Sequence, residues 1–122
     1  MAEDLWKRTA NDLAQMIAAG EVSSLEVVNA HLDRINEVNG WLNAVTHVLA
    51  DEARTAAIEA DAAVATGDEL GPLHGVPCTV KENVDVSGTA TTQGLPAFAE
   101  LIAPTDAPLV ERLRGAGAIP IG

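Results

Sequence analysis

At Gly71 the chain changes character, and that change restricts its fold more than any other feature. Residues 9–66 carry apolar side chains at helical spacing, interrupted at Gly20, at Asn39-Gly40 and at Gly67. From 71 to 105 glycine and proline recur too often for a helix to run, and loops are expected there. Within that stretch Val76, Cys78 and Val80 approach Lys81 as a strand over 76–81, fenced by Gly71, Pro72, Gly75 and Pro77 before it and by Gly88 and Gly94 after it.

The helical part can be read in detail. Residues 9–19 place Leu13, Met16 and Ile17 on one face, with Gly20 as the stop. Ser23-Ser-Leu-Glu26 is a capping box, in which the serine accepts from the amide of Glu26 and the glutamate reaches back. It opens a helix over 24–38 with Leu25, Val28, Leu32 and Ile35 on one face. Residues 43–48, with three β-branched side chains, predict a short strand, and 50–66 an alanine-rich helix that packs closely on a neighbour. Asp106 is expected to cap a last helix over 107–115, with Pro108 in its first turn, before a strand at 118–121 that has no obvious partner. Three strands and four helices give an α/β fold. The organisation is one segment of a single domain over 1–122: helical to about 70, a Lys-bearing strand and loops over 71–105, then helix and strand over 106–122.

Composition excludes several functions. Trp6, Trp41 and Phe98 are the only aromatic residues, so the core must be built from Ala, Val, Leu and Ile. A net charge of −11 opposes binding of nucleic acid or an anionic membrane surface, whose attraction comes from Lys and Arg. Cys78 is the only cysteine and His31, His47 and His74 share no ligand spacing, so neither a disulfide nor a metal centre is expected. The N-terminus lacks a basic start followed by an apolar core, and no apolar run is long enough to span a bilayer; a cytoplasmic protein is expected.

Lys81 is the residue best placed for chemistry. From spacing alone, a lysine at a strand end reads first as an exposed or ion-paired residue. As a base it would have to be neutral, a state that desolvation favours and that nearby carboxylates such as Glu82 and Asp85 oppose. His74 is read as a structural hydrogen-bonding residue, His31 and His47 as packing or surface, and Cys78 as a small buried hydrophobe. Ser87 reads as a turn serine, Asn83 and Asp85 as residues that hold the loop by side-chain to backbone bonds, and Thr91 and Thr92 as either cleft lining or turn residues.

The segment Gly71-Pro-Leu-His-Gly-Val-Pro-Cys-Thr-Val-Lys-Glu-Asn-Val-Asp85, followed by Gly88 and Thr91-Thr92-Gln-Gly94, resembles the amidase signature family of serine hydrolases. Weaker matches run along nearly the whole chain: Thr9-Ala10, Leu13-Ala14, Ser23-Ser24-x-Glu26-Val27, Arg34-Ile35, Asp106-Ala-Pro-Leu-Val110 and Leu113-x-x-Ala116-Gly-Ala-Ile119. Family members more often have Asp at the place of Glu82 and Ile at that of Val84. The resemblance implies a fold of helices packed on a mixed central β-sheet, incomplete in this chain. It also implies a Ser–cisSer–Lys triad, with Lys81 as the neutral base, a bridging serine and a nucleophilic serine attacking an amide carbonyl to release ammonia or an amine.

In the family both serines lie in a Gly/Ser-rich run downstream of the strand matching 118–121. Only Ser23, Ser24 and Ser87 occur here, and no such run is present. The expectation is therefore a catalytic Lys81 without its serines, inactive alone. Its expected partners are a small-molecule amide and the missing C-terminal part of the same fold, with a homodimer allowed, no cofactor, no metal and no nucleic acid or membrane. Substrate-binding residues are not legible. Two other readings stand beside it: the amidase subunit of a glutamine-dependent tRNA amidotransferase, and a noncatalytic fragment whose helices over 9–39 form an interaction surface.

Overall fold

A computed structural model describes residues 2–122. A 3₁₀ turn at Ala2–Lys7 leads into α1 (Ala10–Ala18), α2 (Ser24–Leu42) and α3 (Ala50–Ala65). Then come β1 (Pro77–Cys78), a 3₁₀ turn at Pro96–Phe98, α4 (Pro108–Gly115) and β2 (Ile119–Pro120). The strands pair in parallel, Pro77 opposite Ile119 and Cys78 opposite Pro120. The expected partnerless strand thus has a partner. Bonds from Ile119 N–H to Val76 O (2.8 Å), Ile121 N–H to Cys78 O (2.9 Å) and Val80 N–H to Gly122 O (2.9 Å) extend the ladder on both sides of the paired residues.

Local signals set the helix ends. Thr9 accepts from the amide of Asp12 (3.1 Å) to start α1, and Gly20, at φ 72°, lets the chain leave it. The capping box of α2 is complete: the Glu26 amide donates to Ser23 Oγ (3.1 Å) and the Ser23 amide to Glu26 Oε2 (2.8 Å). Those bonds, from the backbone first and the hydroxyl second, hold the Glu26 carboxyl below the usual range.

The same helix end has a second cap that sequence spacing does not reveal. Asp61, on α3, accepts from the amides of Ser24 (2.6 Å) and Leu25 (3.1 Å). Asp61→Ala is expected to lower stability by about 2 kcal/mol, because two amide donors lose a charged acceptor in a half-buried seam. A shift of the urea midpoint smaller than that of Ser23→Ala would contradict this.

Three expectations need correction. Helix α2 does not stop near Asn39-Gly40 but runs to Leu42, where Asn43 adopts the left-handed conformation at φ 51°. The predicted strand at 43–48 is a loop, because the Asn39 side chain occupies both backbone groups of Val45 (2.8 and 2.9 Å) that a sheet would need. Asp106 does not cap α4; Ala107 holds the cap position without a side-chain bond. Asp106 instead accepts from the Ser87 amide (2.8 Å) and from Arg114 Nε (2.9 Å), tying the loop after Lys81 to α4.

Among the described residues, most buried apolar side chains fall into three clusters. Val28 and Leu32 of α2 meet Ala53 and Ala57 of α3 over Ile119 and Ile121. Both alanines are buried, so the alanine-rich face does bring two helices close. Val27, on the other side of α2, joins Leu5, Leu13, Ile17 and Val76. The third cluster, Leu49, Val86 and Val110, lies under the Lys81 loop and takes Val80, Val84 and Ala107 against it.

Candidate active site

Lys81 follows directly from the β1–β2 ladder, one residue after the last bond to Gly122. Its carbonyl accepts from the Val84 amide (3.0 Å), which turns the chain. Because Val80 and Val84 are drawn into the third cluster, the lysine between them is left exposed. The expected strand over 76–81 is shorter, confined to Pro77–Cys78.

A cavity of about 460 Å³ opens at this point. Leu49, Val80, Val84 and Val86 give it an apolar wall, and Lys81, Glu82, Thr92 and His47 give it polar groups. His47, expected as packing or surface, is exposed and faces the same cavity from the loop before α3. Among the described residues Lys81 has no ion-pair partner.

The two acidic neighbours of Lys81 are engaged elsewhere. Glu82 Oε1 accepts from the Thr92 hydroxyl (2.5 Å) and the Thr92 amide (2.6 Å). The hydroxyl bond, then the amide bond, keep the Glu82 carboxyl below the usual range. With its pKa depressed, this group favours the folded chain at neutral pH, and that contribution fades as pH falls through the carboxylate range. Asp85 accepts from the Thr91 hydroxyl (2.5 Å). The expected side-chain to backbone bonding by Asn83 and Asp85 is therefore not what holds the loop: Asp85 bonds a side chain, and Asn83 is exposed.

The remaining candidates lie away from the cavity. His74 donates from Nε2 to Ala60 O (2.8 Å), the structural bond expected of it, and His31 donates from Nδ1 to Val27 O (2.8 Å). None of the three serines lines the cavity. Ser23 caps α2, Ser24 is buried with its hydroxyl on Gly75 O (2.7 Å), and Ser87 is held by Asp106. Cys78 is half-buried and burial pushes its thiol up, so it behaves as the small hydrophobe expected. Iodoacetamide is expected to alkylate Cys78 at pH 7 more slowly than free cysteine, as followed by mass spectrometry. Alkylation at the rate of the free thiol would show that its burial is not maintained.

The sequence profile of the amidase family matches residues 26–122. The chain belongs to the amidase family. Over 97% of its length this amidase segment is 52% identical to an indoleacetamide hydrolase of Bradyrhizobium diazoefficiens, of which it covers 22%. It is 47% identical to a glutamyl-tRNA(Gln) amidotransferase subunit of Acidothermus cellulolyticus, over 98% of the chain and 24% of that protein. Among solved structures, peptide amidase from Stenotrophomonas maltophilia superposes with a TM-score of 0.85 at 37% identity, over 93% of this chain and 23% of that one. A fatty acid amide hydrolase superposes at 0.91 and 29% identity, over 98% of this chain and 21% of that one. The chain thus spans between 22% and 24% of the two relatives' length.

Proposed function

We propose that residues 1–122 are the N-terminal portion of an amidase that hydrolyses a carboxylic amide, with Lys81 as the general base of a Ser–cisSer–Lys triad. Both serines lie in a part of the polypeptide outside this segment. The observation that carries the reading is the setting of Lys81: at the end of the β1–β2 ladder, facing a cavity with one apolar wall, and without an ion-pair partner among the described residues. A lysine so placed beside the apolar wall of Leu49, Val80, Val84 and Val86 can serve as a proton acceptor once neutral.

Neutral Lys81 Nζ takes a proton from the bridging serine, which takes one from the nucleophilic serine as the latter attacks the amide carbon. The proton returns to the departing nitrogen as the carbon–nitrogen bond breaks, leaving an acyl-enzyme. Water then attacks the ester under the same base and frees the acid.

The similarity to indoleacetamide hydrolase favours a primary amide of an apolar acid as substrate, and we place the protein in the cytoplasm. Ammonia release from indole-3-acetamide by the full-length protein alone tests this. Failure to turn over any simple amide, with glutaminase activity only beside partner subunits, would favour the second reading. That reading, supported by the 47% identity to the amidotransferase relative, makes the protein the amidase component of a tRNA-dependent amidotransferase. The 122-residue segment by itself is expected to be inactive on either account.

A further inference from the structure

Lys81 sits between two carboxylates in sequence, Glu82 next to it and Asp85 four residues on. A free carboxylate that reached Lys81 would pair with the ammonium form and make the lysine a poorer proton acceptor. Both are instead bonded to adjacent threonines of one loop. Thr91 Oγ1 donates to Asp85 (2.5 Å), and Thr92 donates to Glu82 from its hydroxyl (2.5 Å) and its amide (2.6 Å).

Most of the fastening of their loop does not depend on these two hydroxyls, although Thr92 Oγ1 also accepts from the Gly94 amide (3.1 Å). Its backbone is fastened separately, by Ala103 N–H to Thr89 O (2.8 Å), Gly88 N–H to Ala103 O (2.9 Å) and Thr91 N–H to Leu101 O (3.3 Å). A turn with Gln93 at φ 50° and Gly94 at φ 74° follows, closed by Leu95 N–H to Thr92 O (2.9 Å). The Thr91 hydroxyl thus has a task other than shaping the turn, and the Thr92 hydroxyl both closes the turn at Gly94 and donates to Glu82. Lys81, Glu82 and Thr92 line the same cavity, so one latch lies within the site itself.

We propose that Thr91 and Thr92 are positioning residues for the base: together they hold Asp85 and Glu82 off Lys81, so that the lysine can shed its proton. The inference rests on the reading of Lys81 as the base. The charged groups in play are few. Glu82 and His47 line the cavity with Lys81, and Asp85 lies four residues on in sequence; the lining residues from 86 to 94 and at Gly122 bring no titratable side chain to the cavity among the described residues. His47 is unaltered in every variant.

The active form is the neutral lysine; a freed carboxylate favours the ammonium; more alkaline solution is then needed to reach the active form. The test is the pH dependence of kcat/KM for the full-length protein on a primary amide. In Thr91→Val/Thr92→Val, which frees Asp85 and leaves Glu82 held only by backbone amides, the acid limb is expected to move up by about one pH unit. Thr91→Ser/Thr92→Ser keeps both hydroxyls and should hold the limb at its wild-type position. Adding Glu82→Gln and Asp85→Asn to the valine pair removes the freed charges and should bring the limb back.

A limb that stays in place in the valine variant while rates fall equally at all pH overturns the inference. If the valine pair does not fold, Thr91→Val alone is read the same way, with a shift in the same direction expected and an unmoved limb again overturning the idea. The base assignment fails differently: near-normal turnover by Lys81→Ala would remove it. An inactive Lys81→Ala together with an unmoved limb in the valine variant would remove the threonine latch only.

Discussion

Lys81→Ala in the full-length protein is expected to lower kcat for amide hydrolysis by about 10³-fold, within the range for loss of a positioned general base. The side chain lies exposed beside the cavity and anchors none of the three buried clusters. Its removal should therefore leave the unfolding midpoint almost unchanged. Lys81→Arg makes the comparison sharper. Arginine keeps the positive charge and much of the length but stays protonated, so it cannot accept the proton. A base requirement predicts that arginine is as inactive as alanine, whereas a purely electrostatic role predicts that arginine retains most of the activity. Turnover within a few-fold of wild type in either variant would rule out Lys81 as the base, and with it the triad proposed here.

Gly117→Ala is expected to be the most damaging single methyl in the chain, at a cost of about 3 kcal/mol. Gly117 joins α4 to β2 at φ 96°, a conformation that side chains rarely adopt. A Cβ there would lie 2.5 Å from His74 Cα and 2.9 Å from His74 N, both backbone atoms that no rotamer change can move. The Gly117 carbonyl also accepts from the Gly75 amide (2.9 Å), so a shift would loosen the connection that leads into β1. Gly115, two residues earlier and inside α4, is the control. Its Cβ would meet nothing within 4 Å, so Gly115→Ala should be neutral or stabilising by about 0.5 kcal/mol. Equal urea midpoints for the two variants would contradict the close approach of the segments around His74 and Gly117. Because the lysine strand starts just past Gly75, Gly117→Ala should also reduce activity, through misplacement of Lys81 rather than loss of its chemistry.

The helical part is legible because its signals are short-range. The capping box at Ser23, the stops at Gly20 and Gly67, and the apolar face of Leu25, Val28, Leu32 and Ile35 all act within one or two helical turns. Structure and sequence part where a polar side chain has two local uses. Asn39 has the position of a helix stop, but its amide reaches Val45 and turns an expected strand into a loop. Asp106 has the sequence position of a cap, yet Ser87 and Arg114 compete for its carboxylate and win it. Asp61 shows no signal, since its two amide partners lie on another helix, far back in the sequence.

By itself the sequence determined the helical start, the aliphatic core, the family and the candidacy of Lys81. Each of these depends on residue types or on spacings that are fixed within a few residues. Only the tertiary structure decided what surrounds the lysine. Parallel pairing of Pro77–Cys78 with Ile119–Pro120 joins segments that lie far apart in the chain, and that pairing delivers Lys81 to the cavity edge. The two threonines take up Glu82 and Asp85 only because the loop over 88–103 is fastened back on itself, an arrangement no local propensity encodes. A nearby carboxylate held by other donors keeps its charge but is kept from pairing with the lysine. That restraint lies in the fold, not in the order of residues.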